Sequence, residues 1–181
     1  HEFYKCKNAS ELLEKILKGK ESINDEKLND AQKKINLCTK EIELDPKKST
    51  AYFDRAVAKR DLDDIHGAIE DYTKALEVDP EFVGAGLTFI NRGLNKYDLG
   101  DFEGAIEDYT EALNNNPKFD IAALYKGNAK RQLNDFKGAI EDYTKAIEIN
   151  PDNYDAINNR GVTKQESGDL KGSLEDFQYI L

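Results

Sequence analysis

Twelve charged residues recur at fixed places in the chain. Arg55, Arg92, Lys126 and Arg160 are each followed four residues later by a lysine, at Lys59, Lys96, Lys130 and Lys164. Twelve residues beyond each lysine stands an aspartate, at Asp71, Asp108, Asp142 and Asp176. A carboxylate between two cations can tune an acid–base centre or hold an ion pair. A catalytic centre is needed once, whereas this constellation appears in every copy. We therefore read it as an ion-pair ladder between paired helices.

Other chemistry finds little support. His66 is the only histidine inside the repeating part and sits at a helix start with no accompanying nucleophile, which suits a surface residue. Cys6, Cys38, His1 and His66 lack the short ligand spacings of a zinc site. Cys6 and Cys38 could form a disulfide, but two free thiols in a cytosolic chain fit better, with Cys38 a buried small hydrophobe in "INLCTKEI". No phosphate-binding loop occurs, and "GAGL" at 84–87 is too short for a dinucleotide fingerprint. No catalytic residue, metal or cofactor is expected, and the chain does not read as an enzyme.

The elements that carry the ladder repeat with it. "GAIEDYTKAL" starts at Gly67, "GAIEDYTEAL" at Gly104, "GAIEDYTKAI" at Gly138 and a worn "GSLEDFQYIL" at Gly172, so the steps are 37, 34 and 34 residues. The units run over 49–82, 83–119, 120–153 and 154–181, the last one truncated. Each splits into two amphipathic helices, such as "IAALYKGNAKRQL" and "FKGAIEDYTKAIEI". Asp63, Gly100, Asn134 and Gly168 tolerate the left-handed backbone that ends a helix. Asp64, Asp101, Asp135 and Asp169 follow them and suit the cap of the next helix. Pro80, Pro117 and Pro151 stop the second helices. Small residues (Ala56, Gly93, Gly127, Gly161) mark close helix approach, against the larger Tyr72, Tyr109, Tyr143 and Phe177. One such pair cannot bury its apolar face, whereas a stack makes one continuous core.

This small–Asp–Ala–Tyr–Ala–Pro pattern at a 34-residue period resembles the tetratricopeptide repeat over residues 49–181. The resemblance implies an all-α, right-handed α-solenoid of antiparallel helix pairs with a concave groove lined by the first helices. Helical spacing places Phe53, Asp54, Val57 and Arg60 there in the first copy, and Ile90, Asn91, Leu94 and Tyr97 in the second. Leu124, Tyr125, Asn128 and Arg131 follow in the third copy, and Asn158, Asn159, Val162 and Gln165 in the fourth. Asparagine amides suit an extended peptide backbone, since each donates and accepts. Some family members clamp a C-terminal carboxylate with cations in this groove. The matching places here hold Phe53, Val57, Asn91, Ile121 and Tyr125, or one copy later Ile90, Leu94, Tyr125, Asp155 and Asn159, so that clamp is not expected.

Residues 1–48 read as a helical cap or degenerate repeat, built from "SELLEKILKG" and "EKLNDAQKKINLCTKEIELDP". The chain opens at His1 without methionine and closes on the apolar Tyr179, Ile180 and Leu181. It therefore reads as a piece of a longer protein, or as one whose end packs on another chain. The net charge of −10 divides into +1 over residues 1–48 and −11 over the repeats. That balance favours a basic or apolar protein or peptide partner over nucleic acid. No stretch is apolar enough for a membrane span; a cytoplasmic chain is favoured, with any signal sequence hidden by the fragment N-terminus. The expected function is a non-enzymatic scaffold binding a peptide or helical segment in the groove. The alternative is a homo-oligomer stacked through the C-terminal end. The three residues inserted between Pro80 and Gly93 are expected in a surface loop, because Gly84 and Gly86 favour one.

Overall fold

The computed structural model describes residues 28–180. These form nine helices, with no strand among the described residues. Residues 28–44 make α1, followed by α2 (Ser49–Asp61), α3 (Ile65–Val78), α4 (Ala85–Asp98), α5 (Phe102–Asn115), α6 (Asp120–Gln132), α7 (Phe136–Ile149), α8 (Tyr154–Glu166) and α9 (Leu170–Ile180). From α2 to α9 each helix packs on the next in the chain, α4 also touches α6 as α6 touches α8, and side chains of α1 bond to α2. The result is an α-solenoid of antiparallel pairs. Cys6 and the stretch "SELLEKILKG" lie outside the described residues, as does Leu181.

Three-residue turns force each pair to fold back. Asp63 and Asn134 sit at φ 61°, Gly100 at 82° and Gly168 at 92°, the left-handed positions that close a helix. The N–H of the next aspartate then donates back five residues, Asp64 to the Lys59 carbonyl at 2.9 Å and Asp169 to the Lys164 carbonyl at 2.8 Å. The side chain of that aspartate caps the second helix. Asp64, Asp101, Asp135 and Asp169 accept from the N–H of Gly67, Gly104, Gly138 and Gly172 at 2.9 to 3.0 Å. This explains why every phrase begins with glycine. A Cβ on Gly104 would overlap the Asp101 carboxylate, and the same holds at the other three sites.

The ladder forms as its spacing implies. Asp71 is held by Arg55 at 2.6 Å and Lys59 at 2.8 Å, and Asp108 by Arg92 at 2.6 Å and Lys96 at 2.9 Å. Asp176 is held by Arg160 at 2.6 Å and Lys164 at 2.9 Å. All four aspartates are buried, so each charge needs its partners. The arginines reach further. Arg55, Arg92 and Arg160 also donate to Thr39, Thr73 and Thr144, each on the second helix of the preceding pair. Thr39 shows that α1 serves as such a second helix, 34 residues ahead of Thr73 in sequence. Cys38 then takes the place of Tyr72, as a buried free thiol. Burial raises its pKa.

Aromatic knobs fill the pairs. A Cβ on Gly93, Gly127 or Gly161 would strike the ring of Tyr109, Tyr143 or Phe177 at 2.6 to 2.8 Å, so these rings lie directly against the first-helix backbone. The largest apolar cluster spans α4 to α8 and includes Ile90, Leu113, Leu124 and Tyr143.

The three inserted residues divide between loop and helix. The connection 79–84 has six residues where 116–119 and 150–153 have four, and α4 has 14 residues where α2, α6 and α8 have 13. Gly86 is therefore helical, contrary to the loop expected from its type. Its missing side chain has a packing cause, because a Cβ there would meet Asn115 Oδ1 at 2.6 Å and the Phe119 ring at 2.7 Å. Val83 stands fully exposed at the loop tip.

Candidate functional site: the face of the first helices

The first helices of successive pairs are joined by a regular set of polar links. Counted from the small residue of each first helix, the residue four places on bonds to the residue five places on in the next pair. Arg60 pairs with Asp98 at 2.5 Å, Gln132 donates to the Tyr97 hydroxyl at 3.0 Å, and Arg131 grips Glu166 through two bonds of 2.6 and 2.7 Å. Arg60 also donates to Asn95, whose amide returns a bond to the Asn91 carbonyl at 2.7 Å. The hydrogen bond from Arg131 holds the Glu166 carboxyl below its usual pKa range.

Several expected groove residues are consumed by these links. Arg60, Tyr97 and Arg131 are three of them. Asp54 accepts from Lys34 of α1 at 2.6 Å. Asn128 Oδ1 accepts both from the Tyr143 hydroxyl at 2.9 Å and from Asn159 at 3.0 Å, tying α6 to α7 and α8. Ile90 and Leu124 are buried in the central cluster and present almost no surface. What stays accessible is an interrupted strip. Val57, Asn158 and Gln165 are exposed, and Phe53, Asn91, Leu94, Tyr125 and Val162 are half-buried. Phe53 tilts on Tyr72 with ring centroids 5.8 Å apart, and Tyr125 on Tyr109 at 5.9 Å.

Spacing on one helix missed the partner residues Asn95, Asp98, Gln132 and Glu166. The signal lay across copies, in 35-residue steps such as Arg60 to Asn95 and Arg131 to Glu166. The knob hydroxyls add a second cross-copy feature. Tyr143 meets Asn128, but the equivalent place above Tyr109 holds Leu94. The Tyr109 hydroxyl is accordingly buried without a hydrogen-bond partner. Burial pushes the phenol of Tyr143 up to about 12 and raises that of Tyr109 as well.

No helix among the described residues is long and apolar enough to cross a membrane. Tetratricopeptide repeat models match residues 49–82 and 87–119, and a TPR repeat model matches residues 127–177. The fold is similar to that of MamA, at 21% identity and a TM-score of 0.77, covering 87% of this chain and 85% of that one. It is also similar to YrrB, described as a TPR protein with an unusual peptide-binding site, at 21% identity and a TM-score of 0.72 over 83% of this chain and 76% of that one. The first TPR of Spaghetti (RPAP3), bound to the HSP90 peptide SRMEEVD, matches at 24% identity and a TM-score of 0.63 over 67% of this chain and 94% of that one. Capped helix pairs, glycine-seated aromatic knobs and three consecutive family matches agree: the chain belongs to the tetratricopeptide repeat family.

Proposed function

We propose that the chain is a non-catalytic scaffold that binds a peptide or helical segment of a partner protein along the face of its first helices. One observation carries this reading: an accessible strip of amide, aromatic and aliphatic side chains, at Val57, Asn91, Leu94, Tyr125 and Asn158, runs across all four first helices. Peptide binding by YrrB and by the first TPR of RPAP3 supports it by analogy of fold. The partner is basic or apolar. The cations of this face, Arg60 and Arg131, are already matched by Asp98 and Glu166, so an acidic segment finds no free positive charge there. The ladder arginines are engaged with buried aspartates, which leaves them poorly placed to meet phosphate and supports a protein partner.

The test is partner recovery with the intact chain and with Asn91→Ala and Tyr125→Ala together. The double substitution is expected to lower recovery at least tenfold while leaving the helical signal unchanged. Equal recovery would overturn the assignment. A second reading, self-association, is favoured by one observation. Leu170, Leu174 and Tyr179 of α9 are 67%, 57% and 64% exposed. Light scattering over a concentration series checks it: a mass rising above 20.5 kDa supports stacking, and a constant monomer mass removes it.

A further inference from the structure

One row of side chains on the first helices faces outward without serving the core. It lies six places ahead of the small residue and reads Thr50, Leu87, Ile121 and Asp155 from α2 to α8. All four are exposed, Leu87 by 51% and Ile121 by 41%, although Gly86, Thr88 and Ala122 beside them are buried. Two apolar side chains thus stand in water at the same place on successive helices, with a hydroxyl at one end of the row and a carboxylate at the other. One turn further along these helices stand Asn91 and Tyr125, so the row adjoins the accessible strip. Asp155 enters no ion pair among the described residues, whereas Arg60 and Arg131, cations of the same face, are matched by Asp98 and Glu166.

We propose that this row seats an amphipathic helix of a partner protein, with two apolar anchors on Leu87 and Ile121 and a lysine or arginine on Asp155. This rests on the reading of the first-helix face as a binding surface, and narrows its occupant to a helix. An extended segment crossing Leu87 and Ile121 would lose water from its backbone N–H and C=O groups, and neither side chain can replace it. A helix bonds its backbone internally and needs only apolar contact there. The spacing agrees. The first helix α6 touches both α4 and α8. Packed helices lie about 8–10 Å apart, which a helix rising about 1.5 Å per residue crosses in about seven residues. Residues at that separation share one face of a helix, so both anchors point the same way. An equal step beyond Ile121 brings the basic side chain to Asp155, and the neutral Thr50 calls for no charge at the other end.

The test selects a displayed library of helix-forming peptides, each of about 20 residues so that it is helical alone, on the full chain. Enriched peptides are expected to carry two apolar residues about seven apart and a basic residue about seven beyond one of them. Leu87→Lys with Ile121→Lys should lower their affinity at least tenfold while leaving the circular dichroism signal intact, because both side chains are exposed. Asp155→Lys should turn the preference at the outer position from basic to acidic. Absence of enrichment, enrichment of proline-rich or aperiodic peptides, or an unchanged preference with Asp155→Lys overturns the proposal. Peptides that resist the Leu87 and Ile121 changes but are lost with Asn91→Ala and Tyr125→Ala overturn the helix row and leave binding along the face in place. Peptides indifferent to both pairs overturn both. A dimer of the chain that dissolves in the Leu87, Ile121 variant assigns the row to a second copy and also overturns the proposal.

Discussion

Asp142 lies 2.6 Å from Lys130 but 3.9 Å from Lys126, so the third rung of the ladder rests on one close cation where the others have two. Burial lowers the pKa of Lys126 against the pull of Asp142. The arginines of the other rungs also bond a threonine on the preceding pair, whereas the matching Thr110, which donates to its own Ile106 carbonyl as Thr144 does to Ile140, receives no bond from Lys126. Lys126→Arg supplies both missing contacts. It is expected to stabilise the chain by about 1 kcal/mol. For a chain of this size that raises the melting temperature by about 2–4 °C, measurable by circular dichroism.

The two knob tyrosines separate the worth of a hydroxyl from that of a ring. Tyr143→Phe removes the bond to Asn128 and is expected to cost about 1 kcal/mol. Tyr109→Phe removes a buried hydroxyl without a partner, and stability should stay level or rise. Denaturant melts of the two variants, compared side by side, check the sign difference.

Gly104 inverts a general rule. Glycine to alanine inside a helix ordinarily gains about 1 kcal/mol. Here the new methyl displaces the Asp101 carboxylate from its cap, so Gly104→Ala is expected to cost about 1 kcal/mol instead. In an Asp101→Ala background the same change should become stabilising. A double-mutant cycle by urea unfolding would return a coupling near zero if the overlap has no effect.

Acid should weaken the last rung. Burial alone would raise the pKa of Asp176, but hydrogen bonds from Arg160 and Lys164 outweigh it and leave the pKa lowered. A carboxyl with a depressed folded pKa stabilises above its unfolded value of about 4, and the contribution is lost as pH falls through the lower folded value. Asp176→Asn should therefore be less stable than the parent at pH 7. The gap should close as the pH drops below about 4, read from melting temperatures across pH.

Pair boundaries were legible because single residues decide them. A left-handed Asp63 or Gly100, a capping Asp64 or Asp101 and a stopping Pro80 or Pro117 act locally. The ladder was legible because its twelve charges repeat within each copy. The face of the first helices was harder to read, for a geometric reason. One helical stripe there meets both solvent and the next pair, and intra-helix spacing cannot divide the two. Ile90 and Leu124 went to the core, and Asn128 and Asn159 went to each other. The cross-copy links escaped notice because Arg60, Tyr97 and Arg131 differ in type while sharing a place. At Gly86 the residue type suggested a loop, whereas its cause is the nearby Asn115 and Phe119 side chains.

The middle junction of the solenoid is chemically unlike its neighbours. The α2–α4 and α6–α8 links are exposed ion pairs, while α4 meets α6 through the neutral Tyr97–Gln132 bond. Dissolved ions therefore act unequally on the joints of the array. Rising ionic strength screens the outer joints and slackens them. Strongly hydrated salts such as sulfate instead strengthen apolar burial in the cluster that runs from α4 to α8. The shape offered to a bound segment is therefore expected to depend on the salts in the surrounding solution as well as on the sequence.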